Sequence, residues 1–556
     1  MCGFTFRKSN LLKGQMGLLR HRGPDEQSYF VGTDYELEFS RLTITGTIDG
    51  KVPVYSTNRE WLVAFNGEIY NFKSLIETHC LPFTNSDTKV IADGLEKHGL
   101  GFLENLRGMY AGIAINSKTK ATYVFRDPLG EKPLFYSSMD EHLVIASEFT
   151  ALLKHLDRPL KLNPKAISDY FRFGYVEEPD TFDSEIFALK RGAVFRVTDD
   201  YKFVQEMVLL GYNEVETSLD LTELLRLLNM EVSFSTVPTG LALSAGVDST
   251  SLLYAMSKYR DAEFVPIVVN IDREGLSKEA SAAINSCETL GIQPHILQST
   301  PDSLLFQNLN ALAIANDQPH SDPSGLSYLS IFQSAQALGL KVILLGHGPD
   351  ELFWGYPWFN SQLLKMDKRV FPRQSGVRDY WKTPAANSRL LRYFSGNHAS
   401  KSQSFSTDPY LLSNNPWEKY RAEMVHSYLS SNGLRQSDRL AMASGVEPRT
   451  PYADSRLYGW AQNRSIKSSS AFDKSEFRNA VELGPLESSR WRTKEGFNSP
   501  MGQWFQNPAI RDLAGDTLSV VLQSHLDWRL KPRFSWLSPS EKYRITMLGI
   551  WLSKFN

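Results

Sequence analysis

Cysteine is scarce: Cys2, Cys80 and Cys287 are the whole supply in 556 residues, too few and too scattered for a disulfide framework or a cysteine-based zinc site. That scarcity points to a reducing compartment. Long apolar runs are missing as well. No stretch approaches the ~18 consecutive apolar residues of a membrane span, and the start Met-Cys-Gly-Phe-Thr-Phe-Arg-Lys lacks the apolar core of a secretory signal. A cytoplasmic location is the expectation. A net charge of −2 excludes a nucleic-acid-binding surface spread over the whole chain. Internal repeats and low-complexity tracts are absent too. What remains, 42% hydrophobic and 22% charged, is ordinary globular composition, long enough for two domains.

The stretch Thr239-Gly-Leu-Ala-Leu-Ser-Ala-Gly-Val-Asp-Ser-Thr-Ser-Leu-Leu253 reads as an apolar strand, a small-residue turn and a helix start. Gly246 lets the backbone come close to a ligand, and Ser244, Ser249 and Thr250 offer hydroxyls. The N–H groups opening the helix near Ser249 present the positive end of its dipole, so the turn suits a phosphate. Asp248 does not suit direct phosphate contact, but it suits a Mg²⁺ that bridges phosphate oxygens. The lysine of a Walker A loop is missing. Ser-Ala-Gly-Val-Asp-Ser resembles the pyrophosphate loop Ser-Gly-Gly-x-Asp-Ser of the N-type ATP pyrophosphatases. The resemblance implies ATP split between its α and β phosphates to adenylate a substrate. Ala245 departs from the pattern; its methyl is tolerable at negative φ and damaging at positive φ.

At the N-terminus, removal of Met1 would leave Cys2 with both a thiol and a free α-amine. The amine titrates near neutrality, roughly pKa 7.7–8.0, so one residue can supply nucleophile and base. Five spaced motifs follow: His21-Arg-Gly-Pro-Asp25, Arg41-Leu-Thr-Ile44, Asn66-Gly-Glu-Ile-Tyr-Asn71, Ser86-Asp-Thr88 and Arg126-Asp-Pro-Leu-Gly-Glu-Lys-Pro-Leu-Phe-Tyr136. Together they resemble the class II glutamine amidotransferase domain. That implies an α+β N-terminal-nucleophile hydrolase, with stacked antiparallel sheets between helices, releasing ammonia from glutamine. By the same resemblance Cys2 attacks the amide carbon, while the Asn66 side chain and the Gly67 N–H form the oxyanion hole. Arg41 would take the glutamine α-carboxylate, and Asp87 with Glu68 its α-ammonium. Gly46 stands where the family commonly has an acid. His21 shapes the pocket in this reading, since the α-amine makes a catalytic histidine unnecessary. Cys80, after the helical-looking Phe72–His79, reads as a core thiol.

Beyond about residue 205 the pattern alternates. Residues 221–232 form an amphipathic helix with Leu221, Leu224, Leu225 and Leu228 on one face. Phe264–Ile271, Gly291–Leu297 and Lys341–Leu345 read as strands, and Glu279–Leu290 as a helix. Such alternation predicts an α/β domain with a mainly parallel sheet, whose ligands bind beyond the strand C-termini. Val269 and its neighbours Val268–Ile271 either flank an adenine or belong to a plain core strand.

Gly346-His-Gly-Pro-Asp-Glu-Leu-Phe-Trp-Gly-Tyr356 resembles a motif of the asparagine synthetase family. So do Ser437-Asp-Arg-Leu-Ala-Met-Ala-Ser-Gly-Val-Glu-Pro-Arg-Thr-Pro-Tyr-Ala-Asp454 and Trp491-Arg-Thr-Lys-Glu-Gly-Phe497. The resemblance implies that Gly346 lies over the ATP, that Asp350 joins Asp248 as a magnesium carboxylate, and that Lys494 stabilises the adenylate. The Arg and Glu of the middle motif read as a buried structural pair. His347 stands where aspartate-amidating relatives carry Glu or Asp for proton transfer from ammonia.

Two domains are therefore expected, residues 1–204 and 205–556, with ATP and Mg²⁺ as cofactors and glutamine as nitrogen donor. The acceptor would be a carboxylate, either aspartate or a larger anionic acid such as a sugar uronate or a peptide. The larger acid is favoured by His347 and by Lys365 to Lys401, where nine Lys or Arg face only Asp367 and Asp379; a solvated charged face is the alternative for that run. Lactam formation and a non-catalytic homologue are the rivals, and a homodimer is left open.

Overall fold

In the computed structural model the described residues are 2–9, 16–44, 52–139, 142–212, 218–233, 237–260, 262–270, 275–298, 305–356, 411, 413, 415–464, 473–492, 504–508, 510–516 and 537–555. Lys494 and the basic run from Lys365 to Lys401 lie outside them.

Period-two burial builds the first half. In the strand Cys2–Ser9 the alternate residues Cys2, Phe4 and Phe6 face one way, as do Leu37 and Phe39 in Tyr35–Arg41. They meet Leu62 and Ala64 of Trp61–Ile69 and Ala111, Ile113 and Ile115 of Gly108–Asn116, so two sheets close on one core. Each sheet has six antiparallel strands. The first runs Phe187–Ala188, Phe135–Met139, His142–Ala146, Cys2–Ser9, Tyr35–Arg41, Glu26–Val31. The second runs Phe203–Val208, Ala193–Val197, Thr122–Arg126, Gly108–Asn116, Trp61–Ile69, Val54–Tyr55.

The odd residues Trp61, Val63 and Phe65 point outward onto Ile91 and Leu95 of the helix Asp87–His98. That helix is capped by Ser86, whose hydroxyl accepts from the Lys89 N–H at 3.3 Å. The outer face of the other sheet carries the helices Phe149–His155 and Pro164–Phe173. Stacked antiparallel sheets between helices are thus what the chain forms.

The second half contains a five-stranded sheet in which every pairing is parallel, in the order His295–Gln298, Phe264–Asn270, Thr239–Leu243, Val342–Leu344, Glu447–Arg449. Counted along the chain the order is 3-2-1-4-5, so its direction of growth reverses between Thr239–Leu243 and Val342–Leu344. Open sheets bind ligands at such a reversal, because the flanking connections leave on opposite faces and open a crevice. The helix Leu221–Ser233 buries Leu221, Leu224, Leu225 and Leu228, as its spacing predicts.

The helix Pro539–Leu552 joins the halves. Ile545, Leu548 and Trp551 pack on the first sheet's helices, while Tyr543, Met547 and Ile550 enter the core of the second half. Among the described residues no helix is long and apolar enough to cross a membrane. Cys80 corrects the sequence reading: it is exposed, two residues beyond the end of Phe72–Thr78, with φ +48°.

Candidate active sites at Cys2 and at the sheet reversal

Cys2 is buried at the start of the first strand. Its main-chain nitrogen, the α-amine once Met1 is removed, donates to Asn66 Oδ1 at 3.1 Å. Asn66 is fully buried and its Nδ2 has no hydrogen-bond partner, an orphaned donor on the side chain that holds the Cys2 nitrogen. Gly67 follows with φ +152°; a Cβ there would stand 2.0 Å from the Met109 carbonyl oxygen, so only glycine fits. Burial pushes the Cys2 thiol above its ordinary range, opposed by a Leu42 backbone hydrogen bond and by Arg41.

Arg41 lies 3.2 Å from Glu26 Oε2. Asp87 accepts from the Ile69 and Thr88 N–H groups at 3.3 and 2.8 Å. Burial raises Asp87 to about 6 and Glu68 to about 8, with Arg449 pulling Glu68 back. Arg449 comes from the parallel sheet, 3.6 Å from Glu68 and 2.7 Å from Glu447, and all three are buried. The expected Arg–Glu pair of that motif therefore exists, and it also reaches the wall of the Cys2 pocket.

His21 turns to Glu148, 3.0 Å away. Its neighbour Arg22, fully buried, donates to the Cys2 carbonyl oxygen at 3.1 Å and pairs with Glu148 at 3.1 Å and Asp438 at 2.9 Å. Lys132 and Arg439 complete this network, which crosses between the halves of the chain. Several residues of the sequence motifs thus serve the joint between the halves.

At the sheet reversal the turn Ser244–Gly246 leads into the helix Val247–Tyr259. The Ser249 hydroxyl donates to the Ser244 carbonyl at 2.9 Å and sits 3.0 Å from Ser244 Oγ, cross-bracing the turn. Thr250 Oγ1 is buried without a partner. Ala245 has negative φ, so its methyl is accommodated. Gly346 lies against the start of this helix: a Cβ there would be 3.0 Å from Asp248 Cβ and 3.2 Å from Ser249 N. Val269 is half-buried near the end of Phe264–Asn270.

Asp248 and Asp350 meet on one residue that sequence reasoning missed. Lys474 Nζ donates to Asp248 Oδ2 at 2.7 Å and to Asp350 Oδ1 at 2.6 Å, and the lysine is buried. Two carboxylate oxygens converging on one cationic nitrogen fit a Mg²⁺ that keeps waters and phosphate oxygens as its other ligands. Glu351 beside them is raised to about 7 by burial and then by Asp350, and accepts from Tyr356 Oη at 2.7 Å. His347 Nε2 lies 3.0 Å from Ser437 Oγ, with the Tyr328 ring 5.5 Å away.

Two family models match the chain: a glutamine amidotransferase domain over residues 1–207 and asparagine synthase over residues 223–532. Among curated relatives, Asparagine synthetase [glutamine-hydrolyzing] 1 of Bacillus subtilis is 25% identical, over 91% of this chain and 88% of its own length. A putative asparagine synthetase [glutamine-hydrolyzing] of Mycobacterium tuberculosis is also 25% identical, over 92% of this chain and 87% of its own. With the second model spanning more than half of the residues, the chain belongs to the asparagine synthase family, its synthase domain preceded by a glutamine amidotransferase domain.

Proposed function

We propose that the protein hydrolyses glutamine at Cys2 and uses the ammonia to amidate a carboxylate that it first adenylates with ATP, releasing AMP and pyrophosphate. The observation that carries this reading is the convergence of Asp248 and Asp350 on Lys474 at the sheet reversal. In the first site the Cys2 thiol gives its proton to the α-amine that Asn66 Oδ1 orients, and sulfur attacks the amide carbon. Charge developing on the amide oxygen faces Asn66 Nδ2 and the Gly67 N–H. Arg41 binds the α-carboxylate of glutamine, and Asp87 with Glu68 its ammonium.

In the second site Ser244, Gly246, Ser249 and Gly346 cradle the ATP phosphates, with Val269 beside the adenine. Asp248 and Asp350 would hold Mg²⁺, which neutralises the departing pyrophosphate when bound. Lys494, assigned by its motif, stabilises the adenylate. The first domain ends between Val208, the last residue of its second sheet, and Leu221. Phosphorus NMR of ATP with glutamine and a carboxylate panel tests the reaction: AMP and pyrophosphate are expected, and ADP with phosphate would overturn it.

A second reading narrows the acceptor. The position of the proton-accepting acid holds His347, engaged by Ser437 and Tyr328. Exchanging a carboxylate for an imidazole favours an acceptor with more negative charge than free aspartate. Efficient pyrophosphate release with free aspartate would return the acceptor to aspartate.

A further inference from the structure

The helix Arg435–Ala443 of the second half sends two consecutive side chains, Asp438 and Arg439, into the first half, and the proposed chemistry uses neither. Both are buried. We propose, with Cys2 as the nucleophile, that Asp438 is a positioning residue for it, so that the second half completes the glutamine site of the first.

Cys2 is held at three atoms. Its nitrogen donates to Asn66 Oδ1 at 3.1 Å, its thiol takes a hydrogen bond from the Leu42 backbone, and its carbonyl oxygen accepts from Arg22 Nε at 3.1 Å. Once Met1 is removed the residue has one covalent neighbour, so these bonds set the direction of its side chain. Asn66 and Leu42 belong to the first half. The third bond leads to the second: Arg22 Nη2 donates to both oxygens of Asp438, at 3.2 and 2.9 Å, and Nη1 to Glu148 at 3.1 Å. A guanidinium is planar, and two carboxylates gripping its two Nη atoms fix where Nε–H points. Gly3 leaves room for the stem of Arg22, since a Cβ there would stand 2.9 Å from Arg22 Cδ.

Glu148 does not suffice for this task. It also pairs with His21 at 3.0 Å and Arg439 at 3.1 Å, whereas Asp438 accepts from Arg22 and, at 3.2 Å, from Lys132, both of the first half. Without the Asp438 charge the Arg22 plane would turn toward Glu148 and carry Nε off the Cys2 carbonyl. Arg439 adds a second tie. It donates to the Ser147 carbonyl at 3.1 Å, and Ser147 exchanges hydrogen bonds with Phe4, at 3.1 Å through its hydroxyl and 3.0 Å through its N–H. Successive residues of one helix thus reach the Cys2 strand at residues 2 and 4.

Asp438→Asn keeps the shape of the side chain and removes its charge. In the full chain, kcat for glutamine hydrolysis should fall about 10- to 100-fold with KM within about three-fold, because the nucleophile is misdirected while the groups assigned to bind glutamine stay in place. The acid limb of the kcat profile, which reports the Cys2 amine, should move to higher pH as the guanidinium charge withdraws from it. Pyrophosphate release with ammonium salt in place of glutamine should stay within about three-fold of the parent, which a general loss of fold would not allow. Glutamine hydrolysis within about three-fold of the parent, or equal losses in the two reactions, would overturn the proposal. If Asp438→Asn does not fold, Asp438→Asn with Lys132→Met removes one charge of each sign and is measured against the same outcomes. Ammonia release from glutamine that persists in Cys2→Ala would instead unseat Cys2, and the role of Asp438 with it.

Discussion

The two sites are assembled by opposite means. Cys2, Asn66 and Gly67, the proposed nucleophile and oxyanion donors, sit on strands of one sandwich, so the sheet ladder sets their spacing before glutamine arrives. At the sheet reversal the groups stand on turns and helix starts from three distant segments, at Ser244–Ser249, Gly346–Asp350 and Lys474. Two of them are carboxylates kept together by an ammonium charge. The first site needs only rigidity, because its charge appears briefly on one oxygen. In the proposed function the second accepts phosphates and a metal, and Lys474 holds Asp248 and Asp350 at close range.

The comparison breaks first at Cys2. Cys2→Ala should abolish glutamine-dependent amidation while amidation with supplied ammonium salt persists, because the acceptor chemistry lies in the other half. Amide release from glutamine by that variant would remove Cys2 from its role. A smaller effect, a fall of about 10²–10³ in kcat for glutamine hydrolysis, is expected for Asn66→Ala, which deletes the orphaned donor. Unchanged hydrolysis by Asn66→Ala would show that the sandwich does not hold a prepared oxyanion site.

Much of the proposed first site is legible in the sequence because its residues carry local chemistry. Cys2 stands out by position and Asn66-Gly67 by a turn-like pair within an apolar strand; Asp248 and Asp350 each open a helix directly after a small-residue loop that follows a strand. Lys474 had no such mark. It is a lysine between Asp473 and Ser475, and only the tertiary fold brings it to both aspartates. The same holds for Arg22 and Asp438, paired across 416 residues, a separation that no periodicity encodes. Helix–strand alternation predicted a parallel sheet but not its 3-2-1-4-5 order, which depends on which edge each crossover joins. Cys80 misled because burial was inferred from residue type, while the helix before it ends two residues short of it and leaves it exposed.

Lys474→Met sharpens the contrast at the second site. It leaves the buried Asp248 and the partly exposed Asp350 as close like charges, so stability should fall by about 3 kcal/mol without metal. Mg²⁺ should restore part of that loss, a result that calorimetry with and without Mg²⁺ measures directly. Pyrophosphate release should drop about 10²-fold, with glutamine hydrolysis at Cys2 unchanged. Equal losses at both sites would mean that Lys474 supports the fold as a whole rather than the carboxylate pair.

The smallest effect concerns the seam between the halves and carries a sign in pH. Glu148 is the largest influence on His21 and raises its pKa, against burial and the charge of Arg22, with Asp317 adding to the rise. The imidazolium is therefore favoured in the folded chain over the unfolded one, whose value is about 6.5. The stabilisation is fully present below that value and is lost as pH rises through the higher folded one. His21→Gln retains a hydrogen-bond donor but cannot titrate. The Tm of the parent should exceed that of the variant at pH 6 by about 1–2 °C, and the gap should close by pH 9. It stays small because the His21 side chain is 41% exposed and its charge is screened by solvent. The kcat for glutamine hydrolysis should remain within about two-fold, since in the proposed mechanism the Cys2 amine and not the imidazole takes the thiol proton. A fall of about 10² in kcat at every pH, with Tm unmoved, would make His21 the base and dissolve the distinction between a site prepared by strands and one gathered from turns.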